Sequence, residues 1–173
     1  QLDSLAMSGC QFEIGFHPVK NDHPHPHGEE DIEFLISTNP GAPPRELGKV
    51  ASGGELSRIS LAIGVVTADT ATVPSMVFDE VDVGIGGAVA EVVGKLLRAL
   101  GERAQVLCVT HLPQVAAQGR HHLQVTKSSD GKTTEAGLRS LSDDEKVEEI
   151  ARMLGGVKIT KQTLAHAKEM LGS

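Results

Sequence analysis

Asp79 and Glu80 close the stretch "MVFDE", two carboxylates side by side after an apolar run. Neighbouring residues of an extended chain point to opposite faces, so the two acids can do different work. Asp79 can hold Mg2+, directly or through water, while Glu80 orients or deprotonates an attacking water. A solvated acidic pair at a strand end is the plainer reading. His111 closes a second apolar run, "VLCVTH". There it can donate a hydrogen bond to a terminal phosphate, or serve as a loop or capping histidine. The third stretch is "SGGELS", Ser52 to Ser57. Ser52 and Glu55 stand at the spacing of a capping box, which by itself explains a helix start. Gly53 and Gly54 also leave backbone N–H groups open at a helix N-terminus, where the dipole favours an anion. The same geometry is therefore a phosphate seat.

These residues need elements to hold them. From Gly54 to about Thr70 the apolar spacing is helical, with Leu56, Ile59, Ile63 and Val66 along one face. "PSMVFDE" follows as a short buried run. "GGAVAEVVGKLLRALGE" is again helical, with Val89, Val92, Val93, Leu96 and Leu100 in phase, and "AQVLCVTH" is a second buried run. Two such runs separated by a helix predict parallel neighbours in a covered sheet. Ligands in these sheets sit beyond the carboxyl ends of the strands, where Asp79, Glu80 and His111 fall. "LPQVAAQ" reads as a short helix. "HHLQVTKS" and "KTTEAGLRS" read as strands around the turn "SSDG". "SDDEKVEEIARML" is a helix capped by Ser142 and Glu145, and "TKQTLAHAKEML" is a closing helix. Near the start, "QFEIGF" and "DIEFLIS" alternate and predict half-buried antiparallel strands. "TNPGAPPRELGK" reads as a loop.

Composition narrows the class. The chain has 173 residues, of which 39% are hydrophobic and 23% charged, so a globular domain is favoured over disorder. Aromatic residues make up 2%, so Val, Leu, Ile and Ala must build the core. The net charge is −7 and no dense Lys/Arg run occurs, which argues against a DNA-holding surface on this chain alone. Cys10 and Cys108 are far apart and form no CxxC pair, a pattern that suits a reducing compartment. Cys108 lies within an apolar run and reads as a small core residue. There is no signal peptide and no run of about 18 apolar residues, so neither export nor a membrane span is expected. The chain begins at Gln1, which suggests a piece of a longer protein. "DHPHPHGEED" carries His23, His25 and His27, but no second cluster completes a ligand set, so it reads as a surface loop.

A Gly-Gly helix start, a strand ending in Asp-Glu and a strand ending in His, in that order, resemble the C-terminal part of an ABC-type ATPase head. In that likeness "SGGELS" matches the signature motif, "MVFDE" the Walker B strand, and His111 the switch histidine. "DEVDVGIGG" departs from the transporter pattern. With "VASGGELSRISLAI", "VTHLPQVAAQG" and "LSDDEKVEEIARMLGG", it resembles the RecN family of SMC-like bacterial DNA-repair proteins, over residues 49–156. Asp82 matches the last acid of "DEVD" in SMC-type heads. The later D-loop aspartate of those heads falls at Gly86, leaving Gly84 to Gly87 to act through backbone. No GxxxxGK[ST] loop occurs in the chain.

The resemblance implies an α/β fold: the C-terminal lobe of an ABC-type P-loop ATPase head, with a mostly parallel sheet flanked by helices and an N-terminal antiparallel strand pair. It implies one lobe over residues 1–173, divided into a strand pair with loops (1–48), the signature, Walker B and switch core (49–156) and a C-terminal helix (157–173). The implied cofactors are ATP and Mg2+, and without its Walker A lobe the chain should be inactive alone. Glu80 and His111 would be catalytic and Asp79 would take the metal. Ser52, Gly53, Gly54 and Glu55 would meet ATP from the opposite head, with Asp82 and Gly84 in the D-loop region. The implied partners are an N-terminal Walker A lobe of the same protein, a second head in a homodimer, and DNA through the complete protein, in the cytoplasm with the nucleoid. The other readings are a transporter ATPase fragment and a non-enzymatic lobe that only docks onto a partner.

Overall fold

A computed structural model describes residues 2–19, 26, 28–38, 40–50, 52–68, 70, 73–129, 133–156 and 159–172. After a single 3-10 turn at Leu2–Leu5, β1 (Gln11–Pro18) and β2 (Glu30–Ser37) pair antiparallel, with Ile14 opposite Phe34 and Phe16 opposite Ile32. Two short elements lie inside the segment expected to be loop: β3 (Arg45–Glu46), which pairs with β2, and α1 (Leu47–Val50). The core then runs α2 (Gly53–Thr67), β4 (Ser75–Phe78), α3 (Gly87–Leu100), β5 (Gln105–Cys108) and α4 (Pro113–Ala116). A hairpin of β6 (Leu123–Ser129) and β7 (Thr134–Ser140) follows, then α5 (Asp143–Gly155) and α6 (Lys161–Leu171). The mixed α/β class is as expected. Among the described residues, parallel pairing is confined to β4 and β5, with Val77 opposite Leu107 and Phe78 opposite Cys108.

The main core lies between this pair and its helices. Phe78, Val81, Leu61, Ala90, Val93, Leu97, Leu100 and Val115 are buried together, with Leu5 from the N-terminal turn. A second cluster joins α4, α5 and α6 through Ala117, Ile150, Ala151 and Ala167. The small residues let three helices approach closely, and Ile150 fills the space between them.

In α2 the buried face differs from the expected stripe. Gly54, Arg58, Ile59, Leu61 and Ala62 face inward, while Leu56 and Ile63 are exposed and Val66 is 70% exposed. The cause is at the helix start. A Cβ at Gly54 would lie 3.1 Å from the Glu80 carbonyl oxygen and 3.2 Å from Val83. The loop after β4 therefore lies on Gly54 and turns residues four and seven positions later inward with it.

Alternation likewise does not reveal which strand face is covered. On the expected β1–β2 face Ile36 is buried, whereas Phe12, Ile14, Phe16, Ile32 and Phe34 are exposed. On β6–β7 it is the polar face that meets α5: Gln124 Nε2 donates to Glu149 at 2.8 Å, and Arg139 donates to Gln124 at 3.1 Å and pairs with Glu145. Leu123, Val125 and Leu138 are left outside. On β4–β5 the inner residue Phe78 is buried, whereas Val77, Leu107 and Val109 are exposed on the opposite face, so the pair is covered on one side.

Gly94 marks the closest approach of α3 to α4. A Cβ there would sit 2.7 Å from Gln118 Cγ, 3.1 Å from the Gln114 carbonyl oxygen and 3.2 Å from Val115 Cα. Gln118 can swing aside, but the α4 backbone cannot. Gly94→Val is expected to destabilise the chain by about 1–3 kcal/mol in a denaturant titration, as overpacking typically does. Unchanged stability would mean that the α3–α4 contact relaxes freely.

Candidate functional site

Ser52 ends an extended segment and caps α2. Its Oγ accepts from Glu55 N at 3.4 Å, and its own N–H donates to Glu55 Oε2 at 3.0 Å. The expected capping box is therefore formed. It aims the first turn of α2 at the carboxyl end of β4. Ser57 Oγ donates to the Asp79 carbonyl oxygen at 2.6 Å, and buried Arg58 donates to the Val83 carbonyl oxygen at 2.9 Å. Both bonds tie α2 to the loop that carries the acids.

The acids sit at that junction. Asp79 and Glu80 are exposed, and Asp79 Oδ1 accepts from Glu80 N at 2.9 Å. Glu80 has φ of 58°, the left-handed region that costs a non-glycine residue about 1–2 kcal/mol. The turn is closed by Val83 N donating to the Glu80 carbonyl oxygen at 3.2 Å. This backbone places the Glu80 carboxylate against Gly53, where an added Cβ would lie 2.0 Å from Oε2. The two glycines thus have separate uses. Gly54 admits the loop backbone, and Gly53 admits the carboxylate. Gly84 has φ of 75° with open space around it.

Asp82 lies inside. It is 2% exposed, and its Oδ2 accepts from Thr110 Oγ1 at 2.5 Å and from His111 N at 3.1 Å. His111 Nδ1 is 3.4 Å from the same oxygen, while the imidazole is 71% exposed. Cys108 packs against the main core. Burial, with the charges of Asp82 and Asp79 adding to it, pushes its thiol up to about 12. It is therefore a neutral, unreactive thiol at physiological pH.

The residues matched to the signature, Walker B and switch motifs lie on three adjoining pieces: the start of α2 (Ser52, Gly53, Gly54, Glu55), the loop after β4 (Asp79, Glu80, Asp82, Gly84) and the turn after β5 (His111). Ser57, Arg58 and Thr110, which join the pieces, carried no signal of their own in the sequence. The arrangement suits a polyphosphate as one wall of a site. It offers an exposed hydroxyl and a glycine-lined helix start for an anion, an exposed carboxylate at Asp79 for a divalent cation, and an exposed imidazole. His23, His25 and His27 lie outside the described residues. Among the described residues no three His, Cys, Asp or Glu side chains gather as a metal site. No described helix is long and apolar enough to cross a membrane.

No family model matches the chain. It is 57% identical over 170 residues to the DNA repair protein RecN of Xylella fastidiosa (strain 9a5c), covering 98% of this chain and 30% of that protein. The RecN of Vibrio cholerae (serotype O1, strain El Tor Inaba N16961) is 54% identical, with 98% and 30% covered. That of Bacillus subtilis (strain 168) is 44% identical, with 99% and 32% covered. The chain thus spans about 30% of the length of the curated relatives it matches. Among solved structures, the Smc head domain with a coiled coil and joint from Pyrococcus yayanosii superposes with a TM-score of 0.59 at 19% identity, over 86% of this chain and 27% of that one. A chain from a study of SMC ATPases aligns with a TM-score of 0.50 at 17% identity, over 90% of this chain and 89% of that one. These structures show an SMC-head fold.

Proposed function

We propose, from a chain that is RecN-like over 98% of its length, that it is the C-terminal lobe of an SMC-like ATPase head in a bacterial double-strand break repair protein. The observation that carries this reading is the tie between the three motif pieces. The α2 start, the acidic loop and the His111 turn are joined by the Ser57–Asp79, Arg58–Val83 and Asp82–Thr110 hydrogen bonds. Exposed apolar faces on β1–β2, β4–β5 and β6–β7 support docking onto an N-terminal lobe that brings the Walker A loop. Residues 1–173 would act as one lobe. Docking alone would make it an interaction module; the exposed Asp79–Glu80 pair and His111 favour the enzymatic reading.

ATP with Mg2+ supplies the bond to be cleaved and the cation that offsets its charge. In the complete protein, Asp79 would hold Mg2+, through water, and Glu80 would take a proton from the attacking water. His111 would donate to the γ-phosphate of its own head. Ser52, Gly53 and Gly54, with Glu55 fixing their helix end, would meet the γ-phosphate of the opposite head. Asp82 and Gly84 would shape the loop between them. ATP would then join two heads, and hydrolysis would release them. Coupled to coiled-coil arms, this would open and close a grip on DNA during recombinational repair, in the cytoplasm at the nucleoid.

Phosphate release by the complete protein tests the reading. Turnover should require Mg2+ and fall to background on chelation, and this chain alone should release none. A complete protein that hydrolyses no ATP, with or without DNA, would overturn it.

A further inference from the structure

We propose that Asp82 is a positioning residue for His111, turning Nδ1 inward to a buried carboxylate and leaving Nε2 as the atom presented to a phosphate. This rests on reading His111 as a phosphate contact. It assigns Asp82 a task that a loop acid facing nucleotide would not have.

Three contacts converge on one oxygen. Thr110 Oγ1, His111 N and His111 Nδ1 lie 2.5, 3.1 and 3.4 Å from Asp82 Oδ2. A carboxylate that is 2% exposed has little water to satisfy it and must take its hydrogen bonds from protein. The first two contacts hold the backbone of the His111 turn. The third brings the ring within ion-pair distance, short of a formed hydrogen bond; closed up, that contact would set which ring nitrogen carries the proton. With Nδ1–H turned to Asp82, the exposed edge of the ring is Nε2. The distance of 3.4 Å is loose, as contacts at such sites often are before the reacting partner arrives.

Asp82 is itself held from both sides. Val81 before it is fully buried, and the Val83 carbonyl oxygen after it accepts from Arg58. The carboxylate therefore has little freedom to follow a drifting ring, and it can impose an orientation. The logic is that of a reacting group oriented by a partner which is itself oriented by a third group.

The ring tautomer can be read by 15N NMR of this chain at a pH where the imidazole is neutral. His111→Ala identifies the ring among the eight histidines. In wild type the Nδ1-protonated form of His111 should dominate. Asp82→Asn should reduce it and Asp82→Ala should abolish it. Where Asp82→Ala does not fold, Asp82→Asn carries the comparison, since its amide oxygen can still serve Thr110 and the His111 N–H. In the complete protein, Asp82→Asn should lower kcat about tenfold with a smaller change in KM, and in a His111→Ala background should add less than about twofold. A wild-type ring protonated at Nε2, or a tautomer indifferent to both substitutions, overturns the proposal. Full additivity in the double mutant does so too, because a merely structural Asp82 would act without His111. If the wild-type protein hydrolyses no ATP, the ATPase reading falls and the ring measurement alone decides whether Asp82 orients His111.

Discussion

Glu80→Gln in the complete protein is expected to cut ATP turnover by about 10²–10⁴-fold, the usual contribution of a positioned general base. Binding of ATP should survive. Gln is nearly isosteric, so the side chain can keep its place against Gly53, and the turn closed by Val83 N and the Glu80 carbonyl oxygen involves no side-chain atom. The left-handed φ of 58° is a backbone demand that Gln meets at a cost close to that for Glu. What is lost is the carboxylate that would accept the proton of the attacking water. Since nucleotide would then hold two heads together without being cleaved, the variant should also accumulate ATP-bound dimers. Phosphate release at saturating ATP, equilibrium nucleotide binding and sedimentation give the three readings. Turnover within about threefold of wild type, when a lost general base should cost far more, would remove Glu80 from the role.

Much of the site's placement was legible because the end of an apolar run marks the end of a strand. β4 stops at Phe78 and β5 at Cys108, so Asp79, Glu80 and His111 had to emerge near one another once the two strands paired in parallel. Capping boxes at Ser52 and Ser142 were equally legible, since both their groups lie within four residues of chain. Less legible was anything set by contact between distant segments. Arg58 counted as polar, so the α2 stripe was assigned to Leu56, Ile59, Ile63 and Val66, of which Ile59 is buried. The guanidinium is nevertheless buried because its hydrogen bond to Val83 comes from a loop 25 residues away. Asp82 read as a loop acid facing nucleotide, yet its partners are Thr110 and His111, which adjoin it only after folding. The hairpin β6–β7 teaches the same point. Alternation separates Val125 and Leu138 from Gln124 and Arg139, but only the carboxylates of α5 turn the polar set toward that helix.

The loop after β4 is the piece on which the proposed mechanism turns. Ser57 and Arg58 hold it to α2, and Asp82 holds it to the His111 turn. A phosphate contact at Ser52 in one head would therefore bear, through a few hydrogen bonds, on the acids and histidine of that same head. On the proposed roles, two nucleotides in a head dimer would then be sensed together, because in each head α2 is hydrogen-bonded to the loop that carries Asp79 and Glu80.

Ser52→Arg should abolish ATP-dependent dimerisation of heads while leaving ATP bound to a single head. Ser52 is exposed at the start of α2, so a guanidinium can be accommodated within its own head. Across a dimer, the added bulk would occupy the volume meant for the γ-phosphate. Ser52 also caps the helix, however, and replacing such a cap by a residue like Ala costs about 1 kcal/mol. Ser52→Ala separates the two roles. Both variants forfeit the hydroxyl that accepts from Glu55 N, so both should lower the melting temperature by a similar few degrees, about 2–4 °C per kcal/mol for a domain of this size. Only Arg adds an obstruction. Dimerisation followed by sedimentation with ATP should therefore be weakened modestly in Ser52→Ala and lost in Ser52→Arg. If the two dimerise equally well, the helix start is a cap and nothing more, and the γ-phosphate of the opposite head must be met by other residues.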